Sequence, residues 1–156
     1  MPLHSAGLLL YRIRGERLEI FLAHPGGPFW AGKDDGVWTI PKGLIDPDED
    51  PPAAARREFA EETGHRLPDE LVPLGELKQK NNKIIHAWAV AGDVDAGDIK
   101  SNTFSAQWPP GSGKWQHFPE VDRAGWFSVD EARHKILPGQ AGFIDRLLEL
   151  LGRDGS

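Results

Sequence analysis

Between Asp50 and Gly64 the chain carries DPPAAARREFAEETG, a segment that reads as a helix with two unlike faces. Asp50 can cap its N-terminus, Pro51 and Pro52 sit where a first turn tolerates proline, and Gly64 supplies a stop. Ala53, Ala54 and Ala55 are small enough to let the helix lie close against a sheet. The other face is acidic: Glu58, Glu61 and Glu62 stand at i, i+3 and i+4 and project together. Like charges at that spacing cost roughly 0.2–0.5 kcal/mol per pair. Two readings follow from these residues alone. A hard divalent cation, which takes carboxylate oxygens and keeps waters for a phosphate substrate, would turn the crowding to advantage. An ordinary solvated acidic helix would simply carry the cost.

Around this helix the pattern alternates strands and loops. Ser5–Arg14 and Leu18–His24 read as two strands about the turn at Arg14-Gly15-Glu16, and the run Gly7-Leu8-Leu9-Leu10 predicts a strand buried on both faces. His24 to Gly36 is a loop rich in glycine and proline, of a length that is often functional. It holds Phe29, Trp30 and Lys33, which either stack on a base and touch a phosphate or cover the core and face solvent. Val37–Ile40 is expected as a short strand and Pro41-Lys42-Gly43 as a turn out of it. Leu74–Gln79 and Lys83–Val90 read as a hairpin around Lys80-Asn81-Asn82, with His86 and Trp88 on one face. Asn102–Trp108 is expected to be a strand. The segment after it is expected to be irregular, with Lys114 on a substrate-rim loop, because Gly111-Ser112-Gly113-Lys114 lacks the full phosphate-loop pattern. Arg123–Phe127 is the last strand. Ser128 and Glu131 form a capping box, and Phe143, Ile144, Leu147, Leu148 and Leu151 make a core-facing helical stripe.

Composition bounds the function. The 156 residues, 39% of them hydrophobic, suffice for one domain with a real core, expected over residues 1–151 with a flexible tail at 152–156. A formal charge of −6 argues against general nucleic-acid binding, so no DNA partner is expected. It also leaves a phosphate substrate in need of a metal's positive charge. The chain has no cysteine, which excludes disulfides, a thiolate nucleophile and zinc–thiolate sites. No apolar run approaches the ~18 residues of a membrane span, and the N-terminus lacks a basic start and a small-residue cleavage site. A cytoplasmic enzyme is the default expectation.

Gly43, five residues, Glu49, seven residues, then Arg57-Glu58-Phe59-Ala60-Glu61-Glu62-Thr63-Gly64 resembles the signature of the Nudix hydrolases. The pattern departs only at its last position, where the family has an aliphatic residue and this chain has His65. Trp38-Thr39-Ile40-Pro41-Lys42-Gly43 immediately before it resembles a subset that includes dinucleoside polyphosphate and diphosphoinositol polyphosphate hydrolases. The resemblance implies an α/β/α sandwich with a central mixed sheet. It implies Mg2+ or Mn2+ on Glu58, Glu62 and Glu61, with the Lys42 carbonyl near the metal and the Lys42 side chain facing a polyphosphate. Arg57 would orient Glu49 or a neighbouring glutamate through a charge-assisted bond. Glu120, six residues before Trp126, resembles the glutamate outside the signature that reaches the metals, with Asp122 as its substitute.

The implied activity is hydrolysis of a pyrophosphate linkage in a nucleoside di-, tri- or polyphosphate derivative by an activated water, with Glu58 and Glu120 both candidates for the base. Substrate contacts are expected from Lys42, Trp30, Lys33 and Lys114. Nucleoside triphosphates and dinucleoside polyphosphates are favoured over nucleotide sugars. A Nudix-fold nucleotide-sensing or RNA-binding module without catalysis is the alternative, disfavoured because every signature carboxylate is present. Many relatives are dimers, so a homodimer is possible on resemblance alone.

Overall fold

A computed structural model describes residues 2–153. Its long first strand, β1 (Leu3–Arg14), is parallel to β5 (Lys83–Ala91) and antiparallel to β2 (Arg17–Pro25). The Leu8–Leu10 run is fully buried, with Leu8 and Leu10 packed on one face and Leu9 on the other. A strand covered on both sides has no polar face to show, which is why the run is continuous rather than alternating. With β4 (Val72–Gln79) and β8 (Val121–Ser128) at its edges, the mixed sheet runs β4-β5-β1-β2-β8. The β4–β5 hairpin turns at Asn81 and Asn82, both at positive φ.

The sheet divides at β1. β2 pairs only with Tyr11–Arg14, whereas β3 (Lys42–Leu44) pairs with Ser5–Gly7. The expected turn at Pro41-Lys42-Gly43 is therefore a strand, because the split in the sheet leaves β1 edge groups that Lys42–Leu44 can satisfy. The approach is close: a Cβ on Gly7 would lie 2.7 Å from Lys42 Cβ and 2.9 Å from the Pro41 carbonyl oxygen. Val37–Ile40, expected as a strand, makes only two isolated bridges, Ala23 with Thr39 and Trp38 with Ile136. Its last backbone N–H, on Ile40, is taken instead by Gln140 Oε1 at 3.0 Å.

Helices cover both faces, as the sandwich requires. On one side α1 (Pro51–Thr63) buries Ala54, Ala55 and Phe59 against Ala6, Leu8, Leu10 and Phe21. Asp50 accepts from Ala53 N at its start, and Gly64 ends it in the left-handed region at φ 79°. On the other side α2 (Val129–Lys135) and α3 (Ala141–Leu151) pack on Leu9, Ile20 and Leu22, with the Ser128–Glu131 capping box in place. Phe143, Ile144, Leu147 and Leu148 are buried there, and Leu151 is half-buried at the margin. Of the expected tail, Gly152 caps α3 and Arg153 donates to the Glu16 carbonyl; residues 154–156 lie outside the described residues.

The segment expected to be irregular contains a strand. β6 (Thr103–Gln107) and β7 (Trp115–Pro119) form a two-stranded antiparallel ribbon apart from the main sheet. Because Phe143 is fully buried on α3, Phe143→Ala should cost about 3–5 kcal/mol. Urea unfolding would show this as a lowered midpoint at unchanged slope, whereas a loss below about 1 kcal/mol would contradict the packing.

Candidate active site

The acidic face of α1 meets β3, the ribbon root and a single guanidinium. Arg57 donates from Nε and Nη2 to Glu49 at 2.8 and 2.9 Å, from Nη2 to the Leu44 carbonyl at 3.0 Å, and from Nη1 to Glu58 at 2.8 Å and Glu61 at 3.1 Å. These bonds hold the Glu49 carboxylate down at about 2. Glu58 is only 8% exposed, and burial raises its carboxyl, helped by the charge on Glu61 and opposed by Arg57. The site tolerates no bulk at Gly43: a Cβ there would stand 2.0 Å from Glu58 Oε2. That contact gives the signature glycine a steric reason.

Glu62 lies beyond the reach of Arg57. Its Oε1 accepts from Lys42 N at 3.3 Å. Burial pushes its carboxyl up to about 8, against the pull of the Lys42 charge and with the push of Glu58 and Glu120. Glu120 joins the cluster from the loop between β7 and β8, and its carboxyl is raised by burial and by Glu61 while Lys42 lowers it. Three backbone bonds seat that loop: Glu120 N to Asn102 O, Asn102 N to Glu61 O, and Gly26 N to Glu120 O. Among the described residues no three carboxylate or imidazole groups are gathered at metal-ligand spacing. Arg57 Nη1 sits between Glu58 and Glu61, and Glu62 is turned to the β3 backbone.

The expected residues thus divide. Glu58, Glu61, Glu62, Arg57, Lys42 and Glu120 come together. Asp122 does not substitute for Glu120, because its carboxylate is taken by the fully buried His24 (Nδ1 to Oδ1, 2.8 Å). Trp30 belongs to neither core cluster, and the Lys33 ammonium lies 4.1 Å from the Phe29 ring centre and 5.3 Å from that of Trp30. Both stay on the rim, beside the ribbon, where a Cβ on Gly27 would touch Phe104. Lys114 is exposed at the ribbon tip. His86 is a sheet histidine bonded to His4 at 2.9 Å. His65 contacts the Asp98 carbonyl at 2.5 Å and so ties the helix end to a loop. Sequence reasoning missed His24, whose Nε2 also meets the Lys33 carbonyl at 2.6 Å. It anchors the rim loop to β8, and a lone histidine at a strand end gives no signal of that.

A NUDIX-domain family model matches residues 1–147. The chain belongs to the NUDIX family. Over 118 residues it is 34% identical to the RNA pyrophosphohydrolase of Rhizobium meliloti, covering 65% of this chain and 65% of that one. Over 132 residues it is 30% identical to the RNA pyrophosphohydrolase of Mesorhizobium japonicum, covering 75% and 70%. The crystal structure of a C. elegans Ap4A hydrolase binary complex superposes with a TM-score of 0.67 at 21% identity, over 96% of this chain and 98% of that one, a likeness of fold. No helix among the described residues is long and apolar enough to cross a membrane.

The raised Glu62 carboxyl has a measurable consequence. The folded state keeps the Glu62 proton up to about pH 8, while the unfolded chain loses it near its ordinary value of 4.5. Between these values the folded state binds more protons, so stability falls as pH rises through the window. In EDTA, Glu62→Gln should flatten the decline in Tm between pH 5 and 8 and melt above the wild type at pH 8. Parallel Tm–pH curves for the two proteins would refute the buried, charge-crowded setting of Glu62.

Proposed function

We propose that this NUDIX-family chain is a metal-dependent pyrophosphohydrolase of nucleoside polyphosphates. The observation that carries the reading is the convergence of Glu58, Glu61, Glu62 and Glu120, three of them with ionisation opposed by burial, beside the Lys42 charge. An all-oxygen donor set short of positive charge fits a hard divalent cation, Mg2+ or Mn2+, better than any softer metal. The pyrophosphohydrolase relatives support the same reaction class.

Glu58 and Glu62 would hold the cation, with Glu61 and Glu120 completing the set and the Lys42 carbonyl at its edge. Bound there, a divalent cation neutralises phosphate charge and makes water a better nucleophile. The protein's own part is positional. Arg57 braces Glu58 and Glu61, and Lys42 brings a cation to the phosphate chain. A carboxylate takes a proton from the attacking water as its oxygen bonds to phosphorus and the bridging P–O bond breaks. Glu58 and Glu120 both suit the base, since burial and neighbouring carboxylates raise each above its ordinary value and a more basic carboxylate accepts a proton more readily. Trp30 and Lys33 would meet the nucleotide from the rim.

Phosphate release with Mg2+ over a panel of nucleoside triphosphates, dinucleoside polyphosphates, ADP-ribose and nucleotide sugars tests the reading, with pyrophosphatase or phosphatase as the coupling enzyme. Glu62→Gln should lower turnover by about 100-fold or more while the folded circular dichroism spectrum is kept. Lys42→Ala should lower kcat/KM more than it lowers Tm. Full turnover by Glu62→Gln would remove the metal-site assignment.

A further inference from the structure

His24 is a polar ring with no exposed surface, and both of its nitrogens are engaged. A carbonyl can only accept, so Nε2 donates to the Lys33 carbonyl at 2.6 Å, and Nδ1 shares a hydrogen with Asp122 Oδ1 at 2.8 Å. Burying an imidazole carries a desolvation cost that an apolar side chain at the same strand end would avoid. Packing gives no reason for it: the edge contact with Trp38, ring centres 5.1 Å apart, is one a phenyl ring would also make. The imidazole adds two polar atoms that reach separate segments at once.

The sheet is bent to bring one of those segments within reach. β2 and β8 pair in register from Glu19 with Ser128 to His24 with Arg123, and then Pro25 pairs with Val121, which leaves Asp122 as the extra residue of a β-bulge. In a regular ladder Asp122 would point away from the face that His24 and Arg123 share; the bulge re-aims its carboxylate at His24. Just beyond the bulge, Gly26 N–H donates to the Glu120 carbonyl at 2.9 Å. A Cβ on Gly26 would stand 1.9 Å from the Pro119 carbonyl oxygen, so this approach requires glycine.

The rim loop is therefore fastened at several points. Gly26 ties its start to Glu120. Asp34 and Asp35 tie its end to Lys135 on α2, at 2.7 and 3.2 Å, and Asp34 also accepts from Trp38 Nε1 at 2.8 Å. Between them His24 links the Lys33 carbonyl to β8, the strand that begins one residue after Glu120. Lys33 is the only Lys or Arg in residues 25–36, and its N–H donates to the Trp30 carbonyl at 3.0 Å. With both backbone groups held, its ammonium lies 4.1 Å from the Phe29 ring centre.

We propose that His24 is a positioning residue for nucleotide binding: through the Lys33 carbonyl it keeps the one cation of the rim loop ordered at a set place relative to Glu120. This rests on the pyrophosphohydrolase reading above, in which Lys33 meets the nucleotide. A cation ordered beforehand loses less freedom when substrate arrives, and that difference falls on KM rather than on kcat.

Two substitutions separate the two nitrogens. Glutamine sets its amide nitrogen about where Nε2 stands and asparagine about where Nδ1 stands, so His24→Gln keeps a donor for Lys33 and His24→Asn loses it. In steady-state kinetics with Mg2+, on the panel nucleotide that the wild type cleaves fastest, His24→Asn should raise KM about tenfold and hold kcat within about twofold, while His24→Gln stays near the wild type. Lys33→Ala should raise KM as well, and His24→Asn should add nothing to it, because both act through one contact. An additive rise in the double variant, equal losses in the two His24 variants, or an unchanged KM in His24→Asn overturns the role. Hydrogen exchange gives a readout apart from turnover: amides of residues 26–36 should exchange about tenfold faster in His24→Asn than in His24→Gln, and equal exchange overturns the proposal. If the wild type cleaves nothing, the catalytic reading falls and calorimetry of ATP with Mg2+ decides. Binding that weakens about tenfold in His24→Asn, but no further when Lys33→Ala is already present, upholds the positioning; equal or absent binding overturns it. Should neither His24 variant fold, Asp122→Ala, which leaves the ring without its orienting carboxylate, should raise KM while Asp122→Asn keeps it, and an unchanged KM in Asp122→Ala overturns the proposal.

Discussion

One guanidinium makes the acidic cleft possible. Arg57 supplies six bonds to Glu49, Glu58, Glu61 and the Leu44 carbonyl, and it is drawn to these partners strongly enough that its own ionisation is never in question. Its reach sorts the carboxylates. Glu49, bonded through two nitrogens, is held at about 2, while Glu62, which Arg57 does not touch, is pushed to about 8. Carboxyls whose environments drive them apart mark different duties. Glu49 serves as a charged brace for Arg57, whereas the ionisation of Glu62 is opposed by burial and by its neighbours Glu58 and Glu120.

That arrangement needs backbone to come unusually near the carboxylates, and the division of the sheet provides it. Because β2 leaves β1 after Tyr11, β3 can enter at Ser5–Gly7 and bring Lys42 and Gly43 under α1. Glycine is required at both close approaches. At Gly7 the obstacle is the β3 backbone and Lys42, and at Gly43 it is the Glu58 carboxylate itself. The Lys42 backbone then binds Glu62 while its side chain faces both Glu62 and Glu120. A strand of three residues therefore places one polar backbone group and one charge in the same cleft.

What was legible in the sequence was whatever repeats with a period or a fixed spacing. The Leu8–Leu10 run, the stripe from Phe143 to Leu148 and the caps at Asp50, Gly64 and Ser128 are local patterns, and each stands as read. The grouping of Glu58, Glu61 and Glu62 followed from helical geometry, and that of Glu120 from resemblance. Illegible were features set by long-range pairing. Lys42–Leu44 looks like a turn because Pro41 precedes it and Gly43 lies within it, and only the open edge of β1 makes it a strand. Trp115–Pro119 sets Trp115 and Phe118 three residues apart, on opposite faces of a ribbon with no core to face, so it carries no period-two burial signal. His24 finds Asp122 across 98 residues of sequence.

The overall charge also conceals how the molecule is divided. A net −6 argues against anionic ligands only if the acids are spread evenly, and they are not. Acids concentrate in the signature helix and its approach, and in the 93–98 loop, while the ribbon carries none and the 24–36 loop only Asp34 and Asp35 at its end. Screening in physiological salt acts over about 8 Å, so a surface of the ribbon's length is governed by its own residues rather than by the chain's sum. The fold thus sets two unlike surfaces side by side: carboxylates crowded about Lys42 and Arg57, and a ribbon that has no acid of its own and exposes Phe104, Trp108 and Trp115.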